Sequence, residues 1–172
     1  MARREVKILW GTAWVDDGDV TTTLLFNPDN YVSFTSQTAY RSDRSRICRA
    51  FVRLIRQTGR DFVTICGGCF RPAEKGFSCR VAFRENYSPR EYGILEDEAS
   101  WILQGVKLLG QYDAGILEID ESCSNIVDSK CWAWERAGAV LIRLVQSDVW
   151  ELDDSELTQV IWETAKYRPP FR

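Results

Sequence analysis

At 172 residues and 45% hydrophobic side chains, the chain can bury a real core without disulfide staples, and a single α+β domain spanning 1–172 is expected. Histidine is absent, which excludes Ser–His and Cys–His catalysis, a histidine base and any imidazole metal ligand. The net charge of −3 divides unevenly: residues 1–90 hold 15 Lys/Arg against 9 Asp/Glu, and residues 91–172 hold 7 against 16. Such an asymmetry points to an anionic partner for one face, to self-association of unlike faces as a homodimer, or to neutralisation within the fold.

No apolar run approaches the roughly 18 residues that a membrane span needs. The start MARREVKILWG lacks a signal peptide's apolar region and cleavage site, so a cytoplasmic or nuclear protein without membrane contact is expected.

In chain order, Val6, Ile8, Trp10, Thr12 and Trp14 alternate as one face of a strand, with Gly11 a bulge. Asp17-Gly18 reads as a turn into a strand Val20–Phe26, and Asn27-Pro28-Asp29-Asn30 as a turn into Tyr31–Thr35, completing an N-terminal β-meander. Ser42 or Asp43 caps a predicted helix to about Gln57, closed by Gly59. Strands follow at Asp61–Cys66 and Cys79–Phe83, around a loop holding Gly67, Gly68, Pro72 and Gly76. A second helix after Pro89 carries Glu96, Asp97 and Glu98 in its first turn and ends at Gly110. Ala114–Ile119 is a short strand; Asp128 caps a third helix to about Val145, and Asp153 or Asp154 a fourth to about Lys166. The predicted order is βββαββαβαα: a mixed or antiparallel sheet with about four helices packed on it.

The segment 41–60 holds seven arginines and one acid, Asp43. On a helix, the spacing of Arg46, Arg49, Arg53, Arg56 and Arg60 stacks them on one face, opposite Ile47, Phe51, Leu54 and Ile55. Guanidinium forks bond phosphate oxygens bidentately, so the expected role is contact with a nucleic-acid backbone, extended by Arg41 and Arg44. The alternative is pairing with the acid-rich C-terminal half. A β-meander followed by a basic helix, over about residues 6–58, resembles the layout of double-stranded-RNA-binding domains. The leading helix of that family is missing, Phe51 and Leu54 stand where its helix core is small, and no residue role is carried over. Trp10 and Trp14 are candidates for stacking on bases, with core packing as the alternative.

Cys66 and Cys69 at CxxC spacing, with Cys79 nearby, could offer three thiolates to zinc. The fourth ligand would come from Cys48, Cys123, Cys131, Glu74 or water. A redox motif and plain buried thiols remain open beside it. In ILEIDE, Glu118 and Asp120 share one side of a strand, the arrangement that a metal-dependent nuclease would use.

The expected function is that of a non-enzymatic RNA-binding regulator, of the kind a virus encodes to suppress RNA silencing, using the arginine helix and a zinc-stabilised loop. The alternatives are an adaptor or inhibitor docking an acidic protein surface and, behind it, a thiol oxidoreductase or nuclease.

Overall fold

The computed structural model describes residues 3–18, 30–56, 62–86, 93–124 and 131–166. Within them the order is β1 (Arg3–Ile8), β2 (Gly11–Asp17), β3 (Tyr31–Ser36), β4 (Cys48–Arg56), β5 (Phe62–Pro72), β6 (Phe77–Ala82), α1 (Glu96–Lys107), β7 (Gly115–Ser124), α2 (Cys131–Leu144) and α3 (Asp154–Lys166). A short 3-10 helix, Ser147–Glu151, precedes α3. The strands form one mixed sheet in the order β1-β2-β4-β5-β7-β6-β3. Among the described strands only β6 and β7 pair in parallel, and α1 supplies the crossover that this requires.

The α+β class holds, with three helices among the described residues rather than four. The helix expected over 42–57 is a loop followed by β4. In β4, Cys48, Ala50, Val52 and Leu54 are buried at every second position, and hydrogen bonds reach both β2 and β5. The apolar residues of this segment satisfy either period, and a central slot between two strands decides for period two. The helix also required its arginines to crowd one face without acids. With it falls the layout shared with double-stranded-RNA-binding domains.

The N-terminal meander is also revised. The chain reverses at Leu9-Trp10, where Trp10 adopts φ 64°, so β1 and β2 form a hairpin. β3 pairs with β6 at the far edge. The expected strand Val20–Phe26 and the Asn27-Pro28-Asp29 turn lie outside the described residues, as do Gly59, Pro89 and the Asp128 cap.

Two of the helices, α1 and α3, begin for the expected reasons. Glu98 in the acidic first turn of α1 accepts a hydrogen bond from the Leu95 amide at 2.9 Å. Asp153 caps α3, accepting from the Ser155 and Glu156 amides at 2.8 and 2.9 Å, while the Glu156 carboxylate takes the Asp153 amide at 3.0 Å. α1 and α2 touch backbone to backbone: a Cβ on Gly105 would lie 1.8 Å from the Glu135 carbonyl, and one on Gly138 2.1 Å from that of Ile102.

One continuous core joins Val6, Val15, Val52, Cys66, Phe70 and Leu117 of the sheet to Ile102, Trp134, Leu141 and Ile161 of the helices. All three helices thus lie on one face of the sheet. Among the described residues none is long and apolar enough to cross a membrane.

Candidate functional site

The face of the sheet turned away from the helices carries the alternate residues of each strand. Three rows run across it. The first pairs Arg3 with Asp16, Asp16 with Arg49, Arg49 with Cys69, Cys69 with Glu118 and Glu118 with Arg80. The second runs Glu5, Trp14, Phe51, Gly67, Glu121, and the third Lys7, Thr12, Arg53, Ile65, Cys123.

The first row is a ladder of ion pairs. Arg3 donates to both Asp16 oxygens at 2.8 Å. Arg49 holds Asp120 bidentately at 2.9 and 3.2 Å, and its Nη1 lies 3.6 Å from Glu121 Oε2. Arg80 donates to Glu118 at 2.8 Å, and Arg71 lies 3.8 Å from the same oxygen. In the Arg3, Arg71 and Arg80 pairs the cation stands outermost, whereas in the Arg49–Asp120 pair the guanidinium is the deeper member, 5% exposed against 34%. The side chains of Arg3, Arg71 and Arg80 are 59%, 43% and 48% exposed, whereas those of Asp16, Glu118 and Glu121 are 7%, 20% and 3% exposed. Lys7 and Arg53 are exposed, and among the described residues neither has an ion-pair partner.

The second row is aromatic at its centre. Trp14 stacks on Phe51 with centroids 5.1 Å apart, and the Arg3 guanidinium lies over Trp14 at 5.6 Å. Phe51 and the Glu121 carboxylate meet over Gly67, where a Cβ would stand 2.4 Å from the Phe51 ring and 3.3 Å from Glu121 Oε2. Gly68 admits a β-bulge: opposite Gly67 and Gly68, β7 runs Ile119, Asp120, Glu121, so both acids reach the helix-free face. Neither Glu121 oxygen accepts a hydrogen bond. Burial pushes this carboxyl up to about 7, against the pull of Arg49 and with the help of Asp120.

The seven candidate arginines are dispersed. Arg49 is buried in the ladder and Arg53 projects from the face. Arg41, Arg44 and Arg46 lie in the loop before β4, where Arg44 pairs with Glu151 and Arg46 sits 3.9 Å from Asp17 and over Trp150. Arg60 and the side chain of Arg56 lie outside the described residues. Arg4, Arg44, Arg49, Arg71 and Arg80 each pair with an acid from the second half of the chain, so much of the charge asymmetry is neutralised internally. Trp10 and Trp14 are not brought together. Trp10, at the hairpin turn, packs edge-on to Trp132 of α2 and covers the Arg136 guanidinium.

The cysteines are likewise separated. Gly67 and Gly68 continue β5 instead of turning around a metal, so Cys66 and Cys69 project to opposite faces of the sheet. Cys66 and Cys79 belong to the core and Cys69 lies beside Arg49. Burial pushes the Cys66 thiol up to about 12 and raises those of Cys48 and Cys79 as well, the opposite of what a redox nucleophile needs. None of the six cysteines is in a disulfide, and no cluster of three or more metal-ligating side chains occurs among the described residues. Glu118 and Asp120 do share a face, each held by arginine.

Sequence reasoning passed over Arg3, Lys7 and Asp16. The signal for the bulge was a doublet, Asp120-Glu121, that breaks the alternation of β7, matched by the Gly67-Gly68 doublet in β5. Comparison with known proteins finds no family model, no curated protein and no solved structure that matches the chain.

Proposed function

We propose that the chain is a non-enzymatic RNA-binding protein that holds a single strand across the helix-free face of its sheet. The observation that carries this reading is the outward projection of five cations from this face, three of them above more deeply buried acids. A polymer approaching the face meets Arg3, Lys7, Arg53, Arg71 and Arg80, outnumbering the exposed Glu5 and the 34% exposed Asp120, while Asp16, Glu118 and Glu121 lie deeper. Guanidinium and ammonium heads at that height suit phosphates, and the partly buried Trp14 lies beside them. Antiparallel sheets with one uncovered face are a recurrent platform for unpaired RNA, whose bases are free to meet side chains.

The test is a salt series with labelled oligouridine. Contact with about three phosphates gives a slope near −2 in log affinity against log salt, from about −0.7 per phosphate. Exchanging Arg53 and Lys7 for Glu should abolish binding while leaving the melting temperature within a few degrees. No binding in about 50 mM salt would sink the proposal. Equal affinity for polyglutamate would assign the face to an acidic protein surface instead.

A further inference from the structure

The Arg49 site holds one cation for two carboxylates, and the geometry divides it unequally. Asp120 takes both guanidinium Nη groups, while Glu121 stands 3.6 Å from Nη1, 3% exposed and with both oxygens unbonded. Other charged or titratable groups of this face come from every neighbouring strand. Arg53 and Cys69 flank Glu121 from β4 and β5, Glu118 and Cys123 from β7 itself, and Asp16 and Arg80 extend the Arg49 row outward. Glu5 ends the row that passes through Trp14 and Phe51. Only Glu121 among the acids of the face combines deep burial with the lack of any hydrogen-bonding donor among the described residues.

We propose that Glu121 is a proton-operated control on the RNA-binding face, resting on that reading of the face. Neutral, it packs beside Phe51 over Gly67 and leaves Arg49 to Asp120. Ionised, it draws on the Arg49 guanidinium and sets a negative charge behind the Trp14–Phe51 stack, so the hold on a phosphate chain loosens. A carboxyl that burial has already pushed up to about 7 makes the change close to neutral pH.

The test follows full-length protein by NMR of labelled Glu and Asp carboxyls from about pH 5 to pH 9, with oligouridine binding measured by anisotropy at fixed salt. One glutamate carboxyl should titrate near neutrality and vanish from the spectrum of Glu121→Gln. Wild-type affinity should fall about 2.5-fold across that midpoint, the size of one added charge roughly 8 Å from a phosphate in a watery medium. Glu121→Gln should keep the acid-side affinity throughout. In Asp120→Asn, which releases Arg49 to Glu121, the midpoint should move down. Absence of any carboxyl titrating above about pH 6, or an unchanged pH dependence of binding in Glu121→Gln, overturns the proposal. If Glu121 titrates as expected but oligouridine binds at no pH, the reading of the face falls, and the link to binding with it.

Discussion

The two faces of this sheet are built on opposite rules. On the helix side, Cys48, Ala50, Val52, Leu54, Cys66 and Phe70 are buried without charge, and stability there comes from area removed from water. On the other side Arg49, Asp16 and Glu121 are nearly as deeply buried, yet they are ionisable and meet opposite charge across strands, in rows adjoining the Trp14–Phe51 stack. Burial on the first face is therefore a matter of shape. On the second it is a matter of partners, since one deleted member leaves a charge uncompensated. A surface intended only for solvent has no need of such a layer.

The two faces should differ most when an apolar residue is shortened. Leu54→Ala should cost about 3 kcal/mol in urea unfolding, whereas Ile55→Ala, its half-buried neighbour on the other face, should cost under about 1 kcal/mol. Next in size, Arg49→Met strands Asp120 and Glu121 together and should cost about 2–3 kcal/mol. Restoring much of that loss by adding Asp120→Asn and Glu121→Gln would confirm that partners, not volume, govern this face.

Acidity gives a third probe. Glu121 has a folded-state midpoint of about 7, above its ordinary value of 4.5, so the folded protein holds the proton more tightly than the unfolded chain. Its contribution is fully present below 4.5 and is lost as pH rises through 7. Stability should decline over that window by on the order of 3 kcal/mol, and Glu121→Gln should flatten the decline. The smallest effect belongs to Arg53→Ala: a stability change within about 0.5 kcal/mol, seen by thermal melting, beside a salt slope for oligouridine reduced by about 0.7.

What the sequence disclosed follows from range. α2 and α3 were legible because capping and apolar periodicity are local: Asp153 and Glu156 announce α3 within four residues. β4 was not, because residues 47–55 satisfy the helical and the extended period alike, and the choice is made by β2 and β5 on either side. The helix-free face was least legible. Arg49 meets Asp120 across 71 residues and Arg80 meets Glu118 across 38, and no local pattern states which arginine answers which acid. Gly67-Gly68 suggested a turn, yet the glycines are there for Phe51 and for the backbone of β7.

The place of β7 bears on the order in which the molecule assembles. β5 and β6 are joined by only four residues, 73–76, a link that elsewhere closes a hairpin. Here the two strands stand apart with β7 between them. The link clasps its first residues, the Ala73 amide donating to the Ala114 carbonyl at 3.0 Å and the Gly115 amide to that of Gly76 at 2.9 Å. On a ribosome, β5 and β6 emerge long before the strand that must part them, and α1 is made in the interval. Direct β5–β6 pairing is then a competitor that the nascent chain has to undo, and β7 is the keystone whose late arrival fixes the sheet. Refolding should accordingly be slow for a chain of this size, as long-range pairings close last.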